Sequence, residues 1–357
     1  MTSVRKGPDS LWLGDATSIS VPMTVRGGRP YIDAILDGHS ATVLIDTAAV
    51  TSLIDTDLAT PGSQPTMVSL QVDQLRFTHL APQSAQVRSY TETTLGVPAD
   101  LILGMDLLSR YPVEFDFPNK TLTIYRDSQS ATAAMPKTAV AAPMRVLEGR
   151  PAVEATLDGD GGLWFSLATG AGGDVSLEPN ADHAAHLGRQ SSLPYEETTM
   201  TGTLYGRLVR ANSFTLGGVG FAQPLVDIIN AQRPGSALSG ALGASTISRL
   251  DLLIDVPGST LAFQAGQGMT SARLYDPSGM QLALRRGAIV VSGVVPDSPA
   301  AGRLRPGDAI VSINGLVPAS LEFARSLLDG SPETKVQVVY RRYGITRSAT
   351  LVLKVLI

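Results

Sequence analysis

The chain has 357 residues, too many for one hydrophobic core, and its net charge of −4 with no basic block argues against nucleic acid or an anionic membrane surface as partner. Cysteine is absent, which removes thiol catalysis, cysteine-based zinc sites and disulfides while leaving the compartment open. Short alternating runs rich in Gly, Pro, Thr and Val favour strands, so the chain reads as mainly β, with a polypeptide or small molecule as its partner.

At the N-terminus, Arg5-Lys6 is a basic pair with no apolar run behind it, and no stretch elsewhere approaches the ~18 apolar residues of a membrane span. The expectation is a cytosolic protein, or one whose signal or anchor lies outside this sequence. Pro22-Met23, Gly28-Arg29-Pro30 and Asp37-Gly38 follow in order and are answered by Pro143-Met144, Gly149-Arg150-Pro151 and Asp158-Gly159. After one inserted residue the repeat runs on, Leu44-Ile45-Asp46-Thr47-Ala48-Ala49 against Ser166-Leu167-Ala168-Thr169-Gly170-Ala171. It closes on residues 101–110 against 240–249, each leading to a turn marked by Asp116 or Asp255 ahead of a proline, where capping is expected rather than catalysis. The small, polar, aperiodic residues 127–141 read as a linker between lobes at 17–126 and 142–264.

A carboxylate on a tight loop after a buried strand is held rigidly, the next threonine can bond across to its counterpart, and a small residue lets two such loops approach. Asp46-Thr47-Ala48-Ala49, followed by the apolar-apolar-Gly element Leu101-Ile102-Leu103-Gly104, resembles the paired signature of the retropepsin-like and pepsin-like aspartic peptidases. The resemblance covers both lobes. It implies two tandem retropepsin-like β-barrel lobes in a pepsin-like bilobal arrangement, with Asp46 and the residue at 168 as the catalytic pair and Thr47, Ala48, Thr169 and Gly170 supporting them. Ala48 stands where the family has glycine and is expected to keep a negative φ.

Family chemistry needs two facing carboxylates that share one proton, one acting as base on a water while the other polarises the scissile carbonyl. Ala168 supplies none, so a loss of roughly 10²- to 10⁴-fold in acid–base catalysis is expected of this chain. Three explanations were open to the sequence: replacement of an aspartate in an otherwise intact enzyme, natural loss in a pseudo-lobe, or pairing with a second copy's Asp46. Retention of Thr169-Gly170-Ala171 favours the first; Gly172-Gly173-Asp174, which departs from the family's apolar continuation, favours the second. Cross-chain pairing is disfavoured because lobe two already occupies the face it would use.

A flap that closes over an extended peptide is expected at residues 198–207, including Gly202, Thr203, Leu204 and Tyr205. Residues 61–66, shorter and poorer in apolar residues, read either as its counterpart in lobe one or as a plain surface loop. His183 and His186, beside Asp182, have a spacing that suits a metal, but such a pair is more often ordinary polar surface sequence; no metal or cofactor is expected. His39 has no serine-nucleophile motif near it, and Gly217-Gly218-Val219-Gly220 opens no helix, so it reads as a hairpin turn rather than a phosphate loop.

Beyond residue 270 the pattern changes. Ser298-Pro299-Ala300, Gly307-Asp308 and Ile313-Asn314-Gly315 closely resemble a bacterial-type PDZ domain spanning 270–357. The resemblance implies a peptide C-terminus or internal segment added as a strand, with Gly279, Met280, Gln281 and Leu282 in the binding loop and residues 320–328 as the helical wall. The function expected is an aspartic endopeptidase acting on polypeptides, inactivated by Ala168 in this form, with the PDZ domain recruiting or regulating. The alternative is a natural pseudopeptidase serving as a peptide-binding scaffold. By resemblance only, a bacterial periplasmic or envelope location is implied.

Overall fold

The computed structural model describes residues 9–59, 67–178, 187, 191–230, 235–266, 269, 272 and 275–357. His183, His186 and residues 61–66 therefore lie outside the described residues.

The first lobe is built on His39–Ile45, whose Val43, Leu44 and Ile45 are all buried because the strand has cover on both faces. Leu101–Leu103 pairs parallel with it, Leu103 beside Ile45, and antiparallel with Leu53–Asp55. The second lobe repeats the device: Gly240–Gly243 runs parallel to Asp160–Ala168, Gly243 beside Ala168, and antiparallel to Val175–Leu177. In each lobe a four-residue helix follows at once, Met105–Leu108 and Ala244–Ile247. Each signature loop is thereby crossed by a later strand of its own lobe, which fixes the loop from behind.

The lobes share a sheet. Leu250–Asp255 of the second pairs antiparallel with Val113–Asp116 of the first, and the sheet continues through Thr121–Tyr125 to Ser18–Pro22 on one side and through Thr260–Ala265 to Val140–Leu147 on the other. One continuous apolar core spans both lobes, with Phe115, Phe165, Phe214 and Phe263 fully buried. Asp116 accepts from the Asn119 N–H at 2.9 Å and Asp255 from the Gly258 N–H at 2.8 Å, so both aspartates cap turns.

The linker departs from the sequence expectation, and a further helix stands where the sequence was not read. Within the linker, Ser128–Ala134 is a helix: Asp127 caps it by accepting the Ser130 N–H at 2.7 Å, and Ala131 is buried against Tyr125, Leu253 and Ala262. Val87–Leu95 is also helical despite its threonines, because Val87, Thr91 and Leu95 are buried and the Thr91 and Thr94 hydroxyls bond back to Val87 O and Tyr90 O at 2.8 and 2.7 Å.

The C-terminal unit has its own core around Val291, Ile313, Val338 and Leu351, inside a five-stranded antiparallel sheet running from Met280–Arg285 to Ile345–Val352. Its helix Leu321–Ser326, shorter than the 320–328 expected, is capped by Ser320, whose Oγ accepts the Phe323 N–H at 3.0 Å.

Candidate active site and peptide groove

The two signature loops meet tip to tip and are locked by reciprocal hydrogen bonds. Thr47 donates its N–H to Thr169 Oγ1 at 3.0 Å and Thr169 returns the same bond to Thr47 Oγ1 at 3.2 Å. Thr47 Oγ1 donates to Leu167 O at 2.6 Å, and Thr169 Oγ1 to Ile45 O at 2.8 Å. Both threonines are buried, so each of these bonds lies in a low-dielectric setting where breaking it would strand a polar group.

A second reciprocal pair surrounds the first. Arg29 of lobe one donates Nε–H to Gly170 O, and Arg150 of lobe two donates Nε–H to Ala48 O, each at 2.8 Å. Each loop is thus held by an arginine from the opposite lobe. The repeated Gly-Arg-Pro was visible in the sequence; its role was not, because the partner carbonyls lie 141 and 102 residues away.

Between the loops lies Asp46. Its Oδ1 accepts the Ala48 N–H at 2.8 Å and the Gly170 N–H at 3.1 Å. Burial holds its pKa above the ordinary carboxylate value, outweighing those two amide bonds and the positive charges of Arg29 and Arg150. Gly170 is required for space: a Cβ there would stand 2.3 Å from Asp46 Cγ.

Position 168 carries no carboxylate, and Ala168 is 1% exposed at the end of its strand. Ala48 keeps a negative φ, as expected. Under the approximate two-fold that relates the threonine and arginine pairs, Ala48 is the counterpart of Gly170 and residue 168 the counterpart of Asp46. A carboxylate at 168 held like Asp46 would therefore meet the Ala48 methyl group, just as a methyl at 170 would meet Asp46.

Leu193–Thr199 and Gly202–Arg210 form an antiparallel hairpin that contains Gly202, Thr203, Leu204 and Tyr205, and Met200 at its tip packs against the Tyr31, Val87 and Leu95 cluster of lobe one. Around the site stand three phenols. Tyr195 donates to Glu197 at 2.8 Å, and its pKa is raised by burial and by the Asp227 and Glu197 carboxylates. Burial raises that of Tyr90, partly offset by Arg29 and reinforced by Glu197 and Asp46. Tyr31 OH is buried and has no hydrogen-bond partner among the described residues. Sequence reading missed all three, as isolated tyrosines carry no spacing signal.

In the C-terminal unit, the loop leading into Met280–Arg285 is held by its own hydrogen bonds. Asp276 Oδ1 accepts the Ser278 N–H and Oγ–H at 2.8 and 2.6 Å, the Gly279 N–H reaches Asp276 O at 3.2 Å, and the Met280 N–H reaches Ser278 Oγ at 3.1 Å. The outer edge of Met280–Arg285, which includes Gln281 and Leu282, packs against helix Val87–Leu95 of lobe one. Arg325 Nη2 bridges this contact, donating to Leu282 O at 3.0 Å and Thr94 O at 3.3 Å, and Gly96 lies so close that an added Cβ would stand 3.0 Å from Leu321 Cβ. Arg26 pairs with Glu322 at 2.9 Å beside it.

Residues 290–342 match the PDZ domain family. No curated protein matches the chain. Among solved structures it is similar to an aspartic proteinase from Irpex lacteus, with 12% identity over 71% of this chain and 99% of that one and a TM-score of 0.45. It is also similar to basic 7S globulin from soybean, with 10% identity over 70% of this chain and 95% of that one and a TM-score of 0.41. With its two crossed and interlocked loops in a strand-rich frame, the chain is a mainly β protein whose residues 290–342 match the PDZ domain family.

Proposed function

We propose that this chain takes an extended polypeptide between its two lobes, beneath the hairpin of lobe two, and in its present form binds that polypeptide without hydrolysing it. The observation that carries the reading is the asymmetry of the paired loops: Asp46, its pKa raised by burial, on one and Ala168 on the other. One carboxylate cannot act in the same turnover as base on a water and as acid toward a carbonyl.

A second reading is supported by the intact reciprocal bonds of Thr47, Thr169, Arg29 and Arg150. These keep the frame of an aspartic endopeptidase, so that Ala168 alone separates the chain from hydrolysis. One experiment decides between them, using cleavage of an unfolded protein in acid and at neutral pH. The binding reading expects Ala168→Asp to remain inert because of Ala48, and Ala48→Gly/Ala168→Asp to regain acid-favoured cleavage that Asp46→Asn then abolishes. Full activity in the single variant would support the endopeptidase with one missing acid, and inertness of both variants would leave a scaffold that only binds.

The PDZ domain regulates in this reading. Its ligand edge faces the same helix that carries Tyr90 to the cleft, so a peptide entering the groove must first displace that helix.

A further inference from the structure

Strand register sorts the residues of the first lobe between two apolar faces. Ile32, Val43, Ile45 and Leu103 belong to the main core, whereas Tyr31, Leu44 and Ile102 belong to a separate cluster on the opposite face. Tyr31 stands directly across from Leu44 on one side and Ile102 beside Leu44 on the other, so the three form one row across paired strands. Asp46 follows Leu44 by two residues, just beyond the strand's end, and continues the alternation on the side of this row. Tyr90 agrees with that placement. Its phenol is acted on by the charges of Arg29, Glu197 and Asp46, and it acts in turn on Tyr31.

Most of the cluster is plain apolar packing. Val87 and Leu95 cover the row from the helix of lobe one, and Met200 packs against it from the hairpin tip of lobe two. Tyr31 breaks the pattern: the residue is 2% exposed, and its hydroxyl group has no hydrogen-bond partner among the described residues. Burial raises the pKa of this phenol and outweighs the positive charges of Arg29 and Arg26, so it stays a neutral O–H donor at neutral pH. Phenylalanine would pack the same ring without stranding a polar atom. The hydroxyl group therefore calls for a partner that the described residues do not supply.

We propose that Tyr31 is a binding residue for the polypeptide between the lobes, donating its hydroxyl group to a main-chain carbonyl oxygen of that polypeptide. The inference rests on the reading of the cleft given above. An extended chain offers carbonyl oxygens whatever its side chains, and the positive charges of Arg29 and Arg26 favour an oxygen acceptor over a cation at this point. Tyr31 lies two residues from Arg29, which holds Gly170 O, so the contact falls on the lobe-one wall close to the paired loops. Packing of Met200 on the cluster leaves the hydroxyl group unpaired, and a bound carbonyl would satisfy it. Polypeptide binding and packing of the hairpin tip thus favour one another.

The test compares the full chain with Tyr31→Phe, reading the affinity for fluorescein-labelled casein, an unfolded polypeptide, by fluorescence anisotropy at neutral pH, beside thermal melts of each protein alone. Expected is a roughly tenfold weaker affinity in the variant together with a melting temperature no lower than the parent's. A hydroxyl group bonded only within the fold would not give that combination, since its loss lowers the melt and leaves the affinity unchanged. If the parent itself fails to bind casein, the reading of the cleft falls and this assignment falls with it. If the parent binds and the variant binds equally well, or the variant melts below the parent, the assignment of Tyr31 alone is overturned.

Discussion

Asp46 holds its proton more tightly than a solvated aspartate, because burial outweighs two amide donors and two neighbouring arginines. Between its unfolded and folded pKa the folded chain binds more protons than the unfolded one. The stability contributed by this group is therefore complete below the unfolded value and is lost as pH rises through the folded one. Asp46→Asn should melt above the parent at neutral pH and converge with it in acid, which thermal melts across that range would check. Gly170→Ala should destabilise by about 1–3 kcal/mol, since its methyl group collides with the Asp46 carboxyl group; chemical denaturation reads this directly. Asp46, Thr47 and Thr169 were legible in the sequence because a repeated motif names them. Arg29 and Arg150 were legible as a repeat but not as clamps, since their acceptors are main-chain carbonyls that no side-chain pattern marks.

Strand register creates a further titrating site in the shared sheet. Asp116 stands directly opposite Asp251, and Glu114, two residues from Asp116, projects from the same face. Tyr125 OH donates to Glu114, while one carboxylate oxygen of Asp251 is buried with no hydrogen-bond partner among the described residues. Burial first, and then Glu114 and Asp116, push Asp251 up to about 7. By the same linkage, stability from this group should fall as pH climbs from the ordinary carboxylate range through about 7, and Asp251→Asn should flatten that limb of the stability–pH profile. Asp116 had been legible only as a turn cap and Asp251 not at all, because cross-strand neighbours are set by lobe-to-lobe register. Helix Val87–Leu95 escaped the sequence for a related reason. Its threonines favour strands in isolation, and only burial of one face and threonine back-bonding secure the helix.

Across the whole molecule, that one helix touches the outer PDZ strand and carries Tyr90 toward Asp46. Gly96→Leu, with its side chain driven toward Leu321 and a φ of +76° to maintain, should loosen the docked PDZ domain. Hydrogen exchange should then quicken in Met280–Arg285 and spare His39–Ile45; equal quickening in both would mean general destabilisation instead. The PDZ segment was legible because it carries its own motif, whereas its docking was not, being made by backbone carbonyls and a glycine surface. The crossed arginines carry a consequence for assembly. Since each lobe's loop is tied down by the other lobe's side chain and the two lobes divide one sheet between them, a chain severed after Ser128–Ala134 yields halves that each lack a clamp and a sheet edge. Mixed together, those halves have every reason to find one another, and the protein becomes a candidate for fragment complementation.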